Sequence, residues 1–149
     1  MSDRALLIAL RCLRRRDHLE AELKAALERE QLGHEWDRVR HKLHEWRFLD
    51  DHRTASVLTE RRQEKGYGKE RILAELDAKG ADPEILAEIE AWFDPAAEAD
   101  RAGHLLRKKY LPSDAPIKGA RYLAGRGFDE DIVRSVVEAY FEASLEGAE

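Results

Sequence analysis

Residues 64–86 read EKGYGKERILAELDAKGADPEIL, and the punctuation of this stretch decides the fold. Gly66, Tyr67 and Gly68 make a corner, because glycine reaches backbone angles that cost other residues more. Ile72, Leu73 and Leu76 then fall on one face of a 3.6-residue period, which predicts a helix. Lys79-Gly80 stops it, with a cation in the last turn and glycine just beyond. Asp82-Pro83-Glu84 starts the next helix: Asp as N-cap, Pro at the first helical position, Glu in the first turn.

The same grammar returns 47 residues later. Gly127-Phe128-Asp129-Glu130-Asp131-Ile132-Val133 matches Gly80-Ala81-Asp82-Pro83-Glu84-Ile85-Leu86, and Leu123 and Arg126 pair with Leu76 and Lys79. A repeat of this length points to helical units that bury their faces against one another.

Working outward, nine helices are expected. The first covers residues 3–15, with Leu6, Ala9, Leu10 and Leu13 on one face, and ends in Arg14-Arg15-Arg16. Asp17 reads as the next N-cap, with Glu20 three residues on. Leu19, Leu23, Ala26 and Leu27 follow, and Gly33 breaks the helix. The third helix carries Trp36, Val39, Leu43 and Trp46, then Phe48-Leu49 and the acidic pair Asp50-Asp51. The fourth spans 51–64, with Ala55, Val57 and Leu58 inward, and runs into Arg61-Arg62-Gln63-Glu64-Lys65. The sixth continues through Ile89, Trp92 and Phe93. Asp94-Pro95 repeats the start signal. The seventh shows Ala99, Ala102, Gly103, Leu106 and Tyr110 on one face and ends at Arg107-Lys108-Lys109. Pro112 and Pro116 bracket a turn. The eighth carries Ile117, Ala120, Leu123 and Ala124, and the ninth a wide stripe of Ile132, Val133, Val136, Val137, Tyr140 and Phe141. Residues 144–149 are expected to fray. The chain therefore reads as all-α. Its helices form three tandem three-helix repeats, residues 1–50, 51–94 and 95–149, packed into an elongated, curved array. Units this small gain stability from their neighbours.

Composition agrees. The chain has 149 residues, 43% hydrophobic and 38% charged, with only 4 prolines, as in helical proteins with a core and a charged surface. No apolar run is long enough to cross a bilayer. The N-terminal stretch is amphipathic and no small-residue cleavage site follows it, so a cytoplasmic location is expected. The single Cys12 excludes an intrachain disulfide. The net charge of −5 argues against a uniformly basic nucleic-acid binder. It is distributed as +1, −4 and −2 over residues 1–50, 51–95 and 96–149, so local clusters outweigh the total.

No catalytic set stands out, and no enzyme activity is expected. Gly66-Tyr67-Gly68 lacks the preceding strand and the Lys-Ser/Thr ending of a phosphate loop. His34, His41 and His44 lie near one another in sequence, but no carboxylate or thiolate evidently converges on them, so neither metal nor cofactor is expected. Cys12 reads as a small core residue. Trp36, Trp46 and Trp92 fall on apolar stripes, which favours core packing over base stacking. Tyr67, between two glycines and beside Lys65, Lys69 and Arg71, is either a surface contact or a wedge against the adjacent repeat. The basic clusters at 14–16, 61–65 and 107–109 close equivalent helices. Cations there suit the helix dipole. Their recurrence also describes a line of positive charge suited to an acidic protein surface or a nucleic-acid backbone.

These residues resemble the RecX family of regulatory proteins over nearly the whole chain. In the first unit the resemblance rests on Arg15-Arg16-Asp17-His18 with Ala21-Glu22-Leu23, and on Phe48-Leu49-Asp50-Asp51 with Ala55. In the second it rests on Lys65-Gly66-Tyr67-Gly68, Ile72-Leu73-Ala74-Glu75-Leu76 and Lys79-Gly80. In the third it rests on Arg107-Lys108-Lys109-Tyr110 and Tyr122-Leu123-Ala124-Gly125-Arg126-Gly127-Phe128. Arg47 departs from the pattern, standing where the family often has a small residue, and the chain is more acidic than many relatives. The resemblance implies three tandem three-helix repeats. It also implies binding to the RecA recombinase filament, inhibition of strand exchange and of the filament's ATPase, and so modulation of DNA repair and the SOS response. Single-stranded DNA within the filament is a second candidate partner. The candidate partner-binding residues are Arg14, Arg15, Arg16, Arg61, Arg62, Lys65, Tyr67, Lys69, Arg71, Arg107, Lys108 and Lys109. The alternatives are a free-standing single-stranded nucleic-acid binder using the same arginines, or a helical scaffold for an unrelated protein.

Overall fold

The computed structural model describes residues 3–146, with side chains as far as Phe141. The described residues form nine α-helices and no strand. These are α1 (Arg4–Arg15), α2 (Glu20–Arg29), α3 (Trp36–Glu45), α4 (Asp51–Glu64), α5 (Lys69–Ala78), α6 (Pro83–Trp92), α7 (Pro95–Lys109), α8 (Pro116–Gly125) and α9 (Glu130–Glu146). A 3₁₀ turn, Gly33–Glu35, precedes α3. Helix α9 continues to Glu146, past the expected onset of fraying, and 147–149 lie outside the described residues.

One start is corrected. Asp17 does not cap α2; the N-cap is Leu19, whose N–H donates to the Glu22 carboxylate at 3.0 Å. The reason lies in Leu19 itself, which is buried and so fixes where the chain turns into the helix. Asp94 and Asp3 do cap their helices, accepting from Ala97 N at 3.3 Å and Leu6 N at 3.1 Å.

One kind of helix end recurs. After α2, α5 and α8 the chain closes with a 6→1 hydrogen bond: Leu32 N to Leu27 O at 2.7 Å, Ala81 N to Leu76 O at 3.0 Å, and Phe128 N to Leu123 O at 3.2 Å. The residue just before each donor has positive φ: Gln31 at 61°, Gly80 at 87° and Gly127 at 92°. This is the left-handed closure that satisfies the last helical carbonyls. Leu27, Leu76 and Leu123 accept these bonds, and each has 0% exposure. The α3 end uses the same turn, with Arg47 at φ 59°. A side chain larger than glycine is disfavoured in that conformation.

The chain divides into two compact units, Met1–Leu58 with Leu76–Leu86 and Thr59–Glu75 with Ala87–Glu149. In the first, α1, α2 and α3 bury Ala5, Ala9, Leu23, Leu27, Trp36, Val39, Leu43 and Leu49 together, with Cys12 packed against them at half burial. In the second, α7 and α8 pack on α9 around Ala102, Leu106, Leu123, Phe128, Val133, Val136 and Phe141.

Trp36 is buried as expected, but Trp46 and Trp92 are 43% and 50% exposed. Both sit at helix ends, where the stripe leaves the core. Trp46 is the C-cap of α3, and the reversal at Arg47 hands its inward place to Leu49. Trp92 is the last residue of α6. Ile117, in the first turn of α8, is also exposed. In α4 the fully buried positions are Ala55 and Thr59, with Val57 and Leu58 half-buried.

Candidate functional site

Within the second unit, cations and aromatic rings alternate in a ladder. The Arg71 guanidinium lies 4.0 Å from the Tyr67 ring centre. Arg126 lies 4.7 Å from the same ring and 5.6 Å from the Tyr122 ring. The Lys109 ammonium lies 4.1 Å from Tyr122 and 6.0 Å from Tyr110. Tyr110 and Tyr122 meet edge to face with centres 6.0 Å apart. Each such contact draws a cation to the negative face of a ring.

The helices hold these side chains by backbone bonds. Arg126 donates to Lys65 O at 3.0 Å, and Arg71 to Gly125 O at 3.2 Å. The Arg126 Nε is buried without a hydrogen-bond partner. Arg101 reaches the corner from α7, donating to Gln63 O and Tyr67 O, each at 2.9 Å, and pairs with the buried Glu98. The start of α5 is satisfied by residues 98–127. Gly68 N donates to Arg126 O at 2.8 Å, Lys69 N to Glu98 Oε2 at 3.0 Å, and Glu70 N to Gly127 O at 2.9 Å.

The expected contact residues divide into exposed ones and ones engaged in the fold. Arg14, Arg15, Arg61, Lys65, Arg107 and Lys108 are exposed at helix ends. Arg62 is held by both Glu75 oxygens at 3.0 Å. Lys69 lies 3.9 Å from Asp129. Arg16 binds Glu22 at 2.8 Å and Asp17 O at 3.0 Å, fastening the first turn of α2. Tyr67 is half-buried, and a cation sits against its ring from Arg71 and from Arg126. Arg62, Lys65, Tyr67 and Arg71 line one cleft of about 270 Å³ with Ile72 and Glu75. Lys65 and Lys108 border a larger groove of about 530 Å³, with Leu105, Tyr122 and Arg126.

Arg126, Arg101, Tyr122 and Tyr110 are ladder or strut residues that sequence reasoning missed. The signal for Arg126 was present, since it matches Lys79 in the repeat. Read as a helix-end cation, it gave no hint of a ring partner 59 residues away in the chain.

In the first unit, Arg38 hydrogen-bonds Asp3 and, with the Leu6 amide, holds its carboxyl down at about 2. Burial pushes the Glu22 carboxyl up, but the hydrogen bonds from Arg16 and the Leu19 amide outweigh it and leave it lowered. Burial raises the Asp51 carboxyl, and Glu20 and Asp82 add to the rise. His44 Nε2 lies 2.8 Å from Glu20, and His34 3.7 Å from Glu35, while His41 is exposed. Among the described residues no three His, Cys, Asp or Glu side chains converge as a metal site would require.

No family model matches the chain. The regulatory protein RecX of Herbaspirillum seropedicae is 36% identical over 143 residues, covering 93% of this chain and 90% of that protein. RecX of Mycobacterium leprae is 33% identical over 153 residues, covering 97% and 90%. The crystal structure of RecX from Lactobacillus salivarius shares the fold, with a TM-score of 0.75 at 18% identity, over 92% of this chain and 94% of that one. With relatives above 30% identity along more than 90% of its length, the chain belongs to the RecX family of regulatory proteins.

Proposed function

We propose that this protein binds RecA recombinase filaments and restrains strand exchange and the filament's ATP hydrolysis, itself catalysing no reaction. The observation that carries this reading is the match to RecX proteins along more than 90% of the chain. The exposed cations Arg61, Lys65, Arg107 and Lys108 supply a surface of the right sign for an acidic partner. Inhibition follows if the protein binds one arrangement of filament subunits better than the others, because a ligand shifts an equilibrium only by its differential affinity. Such a regulator works in the cytoplasm. No helix among the described residues is long and apolar enough to cross a membrane.

The same reading divides the chain into repeats at 1–50, 51–94 and 95–149. The return of the Gly80–Leu86 pattern at Gly127–Val133, 47 residues later, supports that division.

Cosedimentation with RecA–single-stranded-DNA filaments tests the function. Copelleting at moderate salt, with a matching fall in ATP hydrolysis, is expected. Folded protein that stays in the supernatant overturns the reading.

A further inference from the structure

We propose that the groove beside the corner at residues 63–66 seats an acidic polypeptide segment that carries one bulky apolar side chain. The inference rests on the filament-binding reading above and assigns the groove to the protein component of the filament. The groove has a volume of about 530 Å³, and Leu105 and Tyr122 give it an apolar surface. Lys65 and Lys108, both exposed, flank it together with Arg126.

One of its cations is arranged in advance. Arg126 is fixed by the Lys65 carbonyl at 3.0 Å and by two rings. Arg101, also on the groove, already meets two carbonyls and the Glu98 carboxylate, so it braces the groove wall and leaves Arg126, Lys65 and Lys108 to meet the ligand. Side chains already immobilised lose little freedom when a carboxylate arrives, so more of the contact energy becomes affinity.

Two features favour polypeptide over nucleic acid. A single strand is held by bases stacking on free ring faces. The ring in this groove is Tyr122, and Arg126 and Lys109 sit against it. The groove also carries the carboxylates of Glu64 and Asp100. They repel a phosphate backbone, whose charges are regularly spaced along its whole length; a peptide places its few acidic side chains against Lys65 and Lys108 and offers backbone N–H groups to the carboxylates. Exposed lysines beside an apolar patch suit a segment whose acidic residues lie next to an apolar anchor.

The test uses a fluorescein-labelled twelve-residue peptide of Asp and Glu with one central Phe, read by anisotropy against the full chain. A labelled oligo-dT strand and a peptide with Ser in place of the acids serve as comparisons. The acidic peptide should bind saturably, and about tenfold or more of its affinity should be lost in K65E/K108E. The reversal K24E/R29E, on α2 outside the groove, changes the net charge equally and should leave binding intact. Circular dichroism checks that each variant is folded. Binding of oligo-dT but not peptide, lost in K65E/K108E, overturns the proposal in favour of nucleic acid. If wild type copellets with filaments while the peptide fails to bind, or binds K65E/K108E equally well, the groove assignment falls and the filament reading stands. Peptide binding lost in K65E/K108E, in a protein that does not copellet, upholds the groove and removes the filament reading.

Discussion

Glu98, on α7, accepts the amide of Lys69 at the start of α5 at 3.0 Å. The same device appears earlier in the chain: Asp51, on α4, accepts the amide of Glu20 at the start of α2 at 2.9 Å. In both cases the helix start is capped by a carboxylate from a helix two elements on, rather than by its own N-cap side chain. Helix α8 starts differently, with Pro116, which has no N–H to satisfy at its first position. Glu98 is only 5% exposed and also pairs with Arg101. Replacing Glu98 with Ala therefore strips a cap and leaves a half-buried guanidinium without its carboxylate. The expected loss is about 2–4 kcal/mol by urea denaturation. Glu98→Gln keeps an acceptor for the amide and should lose about half as much.

The two glycines near the end of α8 differ in both conformation and space. Gly127 has φ 92°, and a Cβ there would collide with Arg71, whose backbone N would lie 2.7 Å away. A methyl group at Gly125 would meet nothing within 4 Å, and this residue lies within the helix. Gly127→Ala should destabilise by about 2–3 kcal/mol, and Gly125→Ala should be neutral or stabilise by about 0.5–1 kcal/mol. Equal midpoints for the two variants would show that the turn does not need its left-handed residue.

Leu76 and Leu123 precede the same turn, and both have 0% exposure. Each Leu→Ala change should cost about 2–5 kcal/mol. A loss below about 1 kcal/mol at either site, by denaturant midpoint, would show that the two positions are not equivalent.

Asp51 gives a pH dependence of definite sign. Burial, then the Glu20 and Asp82 carboxylates, raise its carboxyl above the usual aspartate range, against the lowering effect of the Glu20 amide and His44. The unfolded chain then releases this proton at lower pH than the folded one. The Asp51 contribution therefore falls as pH rises from the ordinary aspartate value through the raised one, and is flat above it. Asp51→Asn keeps an acceptor for the Glu20 amide and cannot ionise. Its stability relative to wild type should rise through that window. A difference that stays constant between about pH 3 and pH 7 would show that Asp51 titrates normally.

For filament binding, the informative reversal is Arg61→Glu with Lys65→Glu. Both side chains are exposed, so the fold should survive. Affinity should fall by about tenfold or more as attraction becomes repulsion. Arg62→Glu is a poor probe, because it would face Glu75 across a 3.0 Å ion pair. Arg14→Glu with Arg15→Glu should have the smaller effect, and Arg16→Glu should act through the α2 start that Arg16 fastens. Unchanged cosedimentation of the Arg61 and Lys65 variant would show that these cations are only solvated helix ends.

Most helix boundaries were legible because they depend on local chemistry. Asp94 before Pro95, and glycine after the last turn of α5, act within a few residues of themselves. The exposure of Trp46 was not legible. It follows from a left-handed turn at Arg47, and arginine carries no sign of adopting one. The positive clusters were visible as composition, but which cations were already engaged was not. Arg62 meets Glu75 across 13 residues, and Arg126 meets Tyr67 across 59.

The sequence by itself determined the helical class, the glycine turns at Gly80 and Gly127 and most of the apolar faces, because periodicity and capping are properties of neighbours in the chain. Only the tertiary structure decided which charges are engaged inside the fold and which face outward. A cation's partner is chosen by proximity in space, and here helices far apart in the chain bring together a cap, a strut and a ladder. The same side chains in an isolated helix would be solvated and interchangeable.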